Sequence, residues 1–306
     1  MKPTLTRRQF TATVSSMAVA AENSFALTAP LPELLIDTHL HCFAGPNAPR
    51  FPYHSDAPYQ PPQKATPEHL LRCMDAAGVN YGVIVHPEPY QDDHRYLKHC
   101  LAVGQGRLKG TALVFAGKSG SIEQLPELAA HMDLVAARVH AHTPGRLPPF
   151  EKPAFRQLWE QATEQGLAMQ LHFIPKYAAG FEPYIRDFPD TTVVIDHLGR
   201  PLQGTRAEHE SVLRWSKYPN TVIKLSTLTE LHTQPAHKVE QIIKRVTDAF
   251  GLDRMIFGGE FDHTSSGHSY RKIIERANTL LAAFSPTDRA KVLGENAARL
   301  YKFTRS

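Results

Sequence analysis

Asp37-Thr38-His39-Leu40-His41 closes an apolar run, Leu34-Leu35-Ile36, and reads as the end of a buried strand. Alternate residues of a strand face the same way, so His39 and His41 converge on one point in space. Two neutral imidazoles meeting at a strand end suit a divalent transition metal, zinc first. Taken alone, the pair fits equally well as two polar residues leaving a strand, and the remaining sequence has to decide.

Outward from this stretch, apolar runs alternate with helical periodicity. The strands read at 34–42, 81–86, 108–115, 136–141, 167–173, 192–198, 221–227 and 254–261. The first helix has Thr66 as N-cap, Pro67 at its first position and Gly78 just past its end. Further helices read at 93–104, 121–132, 153–166, 178–188, 206–217, 236–250 and 269–283, with a last one near 286–302. Eight strands each followed by a helix give the chain order of a (β/α)8 barrel, a single α/β domain over residues 31–306. A doubly wound open sheet shares the alternation, but no Gly-x-Gly-x-x-Gly follows a strand. The long insertion at 43–66, with Phe43, Phe51, Tyr53 and Tyr59, follows the first strand on the side where a barrel keeps its chemistry, and reads as a lid or wall.

The strand ends carry the chemistry. Strand 4 brings Arg138 and His140, strand 5 His172, strand 6 Asp196-His197, and strand 8 both Glu260 and Asp262. Single histidines of this kind are usually hydrogen-bonded core residues. Four strands ending in groups suited to metal or acid/base work is a different matter, because in a barrel they meet at one mouth. Three imidazoles and a carboxylate would fill a metal's inner shell and still admit a water.

Composition limits the partners. The 306 residues carry a net charge of +4 without a Lys/Arg cluster dense enough for nucleic acid, and this balance suits a small anionic molecule equally well. Cys42, Cys73 and Cys100 make no disulfide framework, and Cys42, next along from the His pair, reads as packing. At the start, Arg7-Arg8 precede a weakly apolar stretch, Ala12 to Ala21, and Ala-x-Ala-like sites. Residues 1–30 therefore read as an export leader of the twin-arginine type, delivering the protein to the periplasm, too short and polar to span a membrane. Assembly into a homo-oligomer stays open.

The chain resembles the amidohydrolase superfamily, and within it the branch of 2-pyrone-4,6-dicarboxylate lactonase and 4-sulfomuconolactone hydrolase-type lactone hydrolases. The resemblance is carried by Asp37-Thr38-His39-Leu40-His41, Arg50-Phe51-Pro52-Tyr53, and Tyr90-Gln91-Asp92-Asp93-His94-Arg95. It continues through Ile195-Asp196-His197-Leu198-Gly199-Arg200-Pro201, Ile223-Lys224-Leu225-Ser226 and Glu295-Asn296-Ala297-Ala298-Arg299-Leu300-Tyr301. It implies a barrel that opens a carboxylated or sulfonated lactone with activated water, and it places family histidines at His39, His41, His172 and His197. The family's strand-8 signature is Gly-Ser-Asp-Trp-Pro; this chain has Gly258-Gly259-Glu260-Phe261-Asp262, so Glu260 stands where the family has Asp. Glu260 is the expected base, with Asp262 two residues on as its competitor and His197 beside them. Zinc is expected on His39, His41 and His172, with a metal-free route kept alongside it, in which the carboxylate activates water and the imidazoles polarise the carbonyl. Arg200, Arg138, Tyr53 and His140 are the expected substrate contacts, the guanidiniums for the anionic groups. A decarboxylase or lactone isomerase on the same site, and an exported anion- or metal-binding protein without turnover, are the alternatives.

Overall fold

All eight strand signals form strands: β1 (Ile36–Leu40), β2 (Tyr81–Val85), β3 (Leu108–Leu113), β4 (Leu134–Ala141), β5 (Ala168–Phe173), β6 (Val193–Ile195), β7 (Thr221–Leu225) and β8 (Met255–Phe257). The computed structural model describes residues 30–304, so the leader read over 1–30 lies, apart from Pro30, outside the described residues. Each strand pairs in parallel with the next in chain order. Beyond the strand ends, His41 N donates to Phe261 O and Glu260 N to His39 O, both at 2.8 Å, drawing the ring together into a (β/α)8 barrel. Among the described residues no helix is long and apolar enough to cross a membrane.

Parallel strands need crossover connections, and helices supply them. The helix Pro67–Ala77 starts where its signals sit: Thr66 accepts from His69 N, and Gly78 ends it at φ 78°. Trp159, Phe155, Phe173, Phe181 and Trp215 are fully buried in the layer between sheet and helices.

The period of two along each strand positions the site. Ile36, Ala136, Ala168, Val194 and Ile256 form one apolar cluster with Tyr301 and Phe303 of the C-terminal segment. Two residues beyond Ala136, Ala168, Val194 and the partly buried Val222, which packs on the same cluster, come Arg138, Gln170, Asp196 and Lys224, all buried. One more step of two brings His140 and His172. An apolar floor thus gives way to a buried polar layer, then to imidazoles at the mouth. On β1 the pairing register shifts between Asp37 and Leu40, an irregularity of the kind that re-aims side chains.

Two strands, β6 and β8, stop furthest short of the ends that the sequence suggests. β6 stops at Ile195, because His197 and Leu198 adopt left-handed backbone, and β8 stops at Phe257, with Glu260 at φ 60°. Gln91, His197, Leu198, Arg200, Thr227 and Glu260 all have φ between 52° and 60° on segments that follow strands. Such conformations cost non-glycine residues free energy and gather at functional sites.

Candidate active site

Asp37 ties β1 to the segment after β8. Its Oδ1 accepts from His39 N and Gly259 N, both at 2.8 Å, and its Oδ2 accepts from the Tyr270 hydroxyl at 2.6 Å. Burial pushes this carboxyl up to about 6, against the pull of those three donors and of Lys224. A Cβ at Gly259 would lie 2.4 Å from Asp37 Oδ2, so only glycine fits there.

Asp196 is the hub of the buried layer. Arg138 donates to its Oδ2 from Nε at 3.2 Å and Nη2 at 3.0 Å, and Gln170 Nε2 lies 3.0 Å from both oxygens. Lys224 Nζ stands 3.0 Å from Oδ1, with both side chains fully buried. Burial opposes this charge, and Lys224 and Arg138 overcome it, holding the carboxyl well below its ordinary range. Arg138, expected to hold substrate, instead neutralises Asp196. Lys224, an ammonium inside an apolar strand, was not singled out as a site residue; its signal was the Lys within Val222-Ile223-Lys224-Leu225.

The histidines take up definite tautomers. His41 Nδ1 donates to Val85 O at 2.8 Å, leaving Nε2 with its lone pair. His39 Nδ1 faces Lys224 Nζ at 3.5 Å and Asp196 Oδ1 at 3.7 Å; an ammonium has only protons to give, so a hydrogen bond from Lys224 requires the His39 proton on Nε2. Arg200 Nη2 donates to His172 Nε2 at 2.7 Å, which puts the His172 proton on Nδ1. His140 Nδ1 donates to Glu88 Oε1 at 3.2 Å. Burial first, and neighbouring cations second, depress the pKa of His39, His41, His140 and His172, so these rings work as neutral imidazoles. Burial raises Glu88, but His140, Arg138 and Arg146 outweigh it and hold the carboxyl at about 2.

Glu260 stands beside His197, with Oε1 3.4 Å from Nδ1, and Ser226 Oγ lies 2.9 Å from the same nitrogen. Burial pushes the Glu260 carboxyl up to about 7; Arg200 pulls it down, and Asp37 and Asp196 push it further up. An acid that titrates near neutrality is suited to proton transfer in both directions. Asp262 does not share this position. The alternation expected along strand 8 is broken at Glu260, and the Asp262 carboxylate turns to the Thr264 N–H and hydroxyl, each at 2.7 Å.

A cavity of about 320 Å³ is lined by Glu88, His140, Arg146, His172, Arg200 and Gln203; its link to the Glu260–His197 pair is through His172, whose ring lies 5.2 Å from that of His197, and through the charge of Arg200 on Glu260. A second, of about 280 Å³, shares His140 and Arg146 with it and extends to Lys118 and to His54 and Asp56 of the insertion. The insertion does wall the mouth: Arg146 Nη2 donates to Asp56 O at 3.3 Å. Tyr53 packs on Tyr90, with ring centres 5.3 Å apart, rather than lining either cavity. Arg146 was missed because it sits in a loop, Thr143-Pro144-Gly145-Arg146, with no periodic signal.

The zinc ligands expected from sequence, His39, His41 and His172, are not brought together as one set, since Arg200 occupies His172 Nε2. Among the described residues, His39, Asp196 and His197 are the group that could hold an ion, their ligand atoms lying within 4.8 Å of one another. Asp196, however, has its lone pairs taken by Arg138, Gln170 and Lys224, two of them cations. With Lys224 charged and in place, the donor set does not fit a divalent ion.

Residues 36–303 match the family described as amidohydrolase. The 4-sulfomuconolactone hydrolase of Rhizobium radiobacter is 27% identical over 295 residues, 93% of this chain and 94% of that one. The L-fucono-1,5-lactonase of Burkholderia ambifaria is 25% identical, covering 81% of this chain and 91% of that one. A solved structure of the probable 2-pyrone-4,6-dicarboxylic acid hydrolase from Acinetobacter baumannii, with citric acid bound, superposes with a TM-score of 0.73 at 23% identity, covering 88% of this chain and 99% of that chain.

Proposed function

This chain belongs to the amidohydrolase family, and we propose that it hydrolyses the ring ester of a small anionic lactone. One observation carries the reading: a carboxyl poised near pH 7, Glu260, stands next to neutral His197 and feels the charge of Arg200, which lines the neighbouring cavity together with Arg146. Ionised Glu260 takes a proton from water as the oxygen attacks the lactone carbonyl carbon. The His39 Nε2–H is a donor suited to the oxyanion that forms, and Arg200 adds positive charge. When the ring C–O bond breaks, Glu260 returns its proton to the leaving oxygen. Lactone and water give a hydroxy acid, which ionises and releases one proton to solvent. Arg146 and Arg200 suit carboxylate or sulfonate groups on the ring. The relatives' names, a sulfonated lactone in one case and a sugar lactone in another, support the ester-opening class.

The test is proton release from a panel of lactones carrying carboxylate, sulfonate or only hydroxyl groups. The proposal expects turnover confined to, or fastest with, the charged members. Turnover of neutral lactones alone refutes the anionic part, and decarboxylation without ring opening refutes the whole. We also propose export by the twin-arginine route from Arg7-Arg8. Replacing both with Lys should strand full-length protein in the cytoplasm; unchanged cytoplasmic residence of the natural chain would contradict it.

A further inference from the structure

We infer that the Lys224 ammonium is the built-in cation of this site, standing where a divalent ion would otherwise bridge His39 and Asp196, and that its removal turns the group into a zinc site. The Nζ atom has three protons and meets three acceptors: Thr38 O at 2.9 Å, Asp196 Oδ1 at 3.0 Å and His39 Nδ1 at 3.5 Å. Two of those acceptors belong to the metal-type group formed with His197. The side chain is fully buried, and the backbone makes room for it: a Cβ at Gly258 would lie 3.1 Å from Lys224 Cδ and 2.7 Å from His39 Cβ.

The electrostatics follow from these distances. Arg138 already balances the Asp196 charge, and Lys224 adds a second positive charge there, which also faces Asp37. A divalent ion brought to the same atoms would meet an ammonium at contact distance and a carboxylate with no free lone pair. Deleting the ammonium frees one Asp196 lone pair and His39 Nδ1 together. Asp196, His39 and His197 then make a carboxylate-plus-two-imidazole set, a familiar zinc arrangement with room for water. In the natural chain Lys224 acts as a positioning residue, fixing the His39 tautomer and anchoring Asp196.

Wild type and Lys224→Met, both stripped of metal, are dialysed against zinc chloride and analysed for bound zinc, with cobalt(II) absorption as a second readout. The expected result is no stoichiometric zinc on wild type, about one ion per chain on Lys224→Met, and loss of that ion on adding His197→Ala. Lys224→Arg, which keeps a cation, should take none. Lys224→Gln serves in place of Lys224→Met if circular dichroism shows the latter unfolded. One tightly bound ion on wild type that His39→Ala abolishes overturns the inference, and so does a folded Lys224→Met or Lys224→Gln that takes no metal. Metal content is read without any lactone, so this test and the turnover test fail separately.

Discussion

Glu260→Gln is expected to lower kcat by about 10²–10⁴-fold, the usual cost of removing a general base. The amide keeps the shape of the side chain and its place beside His197, but it cannot accept the proton of the attacking water. Asp262→Asn is expected to leave kcat within a few-fold, because that carboxylate serves the Thr264 turn. The same Glu260 substitution should raise thermal stability at alkaline pH. The folded carboxyl titrates at about 7 and the ordinary value is 4.5, so the unfolded chain ionises first as pH rises. Wild type therefore loses stability between those two values, and the amide does not. The melting temperatures of the pair should coincide below pH 4.5 and separate, variant above wild type, on the alkaline side of 7. A fully active Glu260→Gln with an inactive Asp262→Asn would move the base along the chain.

Asp196→Asn is expected to cost about 3–5 kcal/mol of stability, the range for breaking a buried ion pair from one side. Lys224 and Arg138 would both be left without their counter-charge in a layer that water does not reach. Asp196 titrates well below 3.8, so its contribution is present above that value and is lost only as acid takes pH down through the depressed value. The deficit should accordingly be full at neutral pH. Adding Lys224→Met to Asp196→Asn should recover part of it, since one of the two stranded charges goes. A double-mutant cycle in denaturant measures that coupling. Strict additivity of the two substitutions would show that Lys224 and Asp196 do not act as a pair.

The barrel was legible because its signals are local: apolar runs of strand length, Thr66-Pro67 opening a helix and Gly78 closing it. The His pair was legible for the same reason, as two residues of one strand. What the sequence hid is set by partners from other strands. Arg138 looks like a substrate ligand until Asp196 is seen across β4, β5 and β6. Lys224 looks like a solvated lysine until the barrel closes around it. Asp262 looks like a neighbour of Glu260 on one face until Glu260 turns left-handed and breaks the alternation. Arg146 lies in a loop whose position depends on the insertion and on Gln91. Strand periodicity finds the elements and the faces, and the ion pairs between elements decide which charged groups are neutralised inside the barrel.

The most direct test of the central claim is the pH dependence of kcat/KM for the wild-type enzyme on its best lactone, between pH 5 and 9. A base that must be ionised, with its carboxyl at about 7, gives a rate that rises about tenfold per pH unit on the acid side and levels off above that value. Glu260→Gln should lack this limb. A wild-type profile that is flat across the range, or a limb of the same midpoint that persists in Glu260→Gln, would show that another group activates the water.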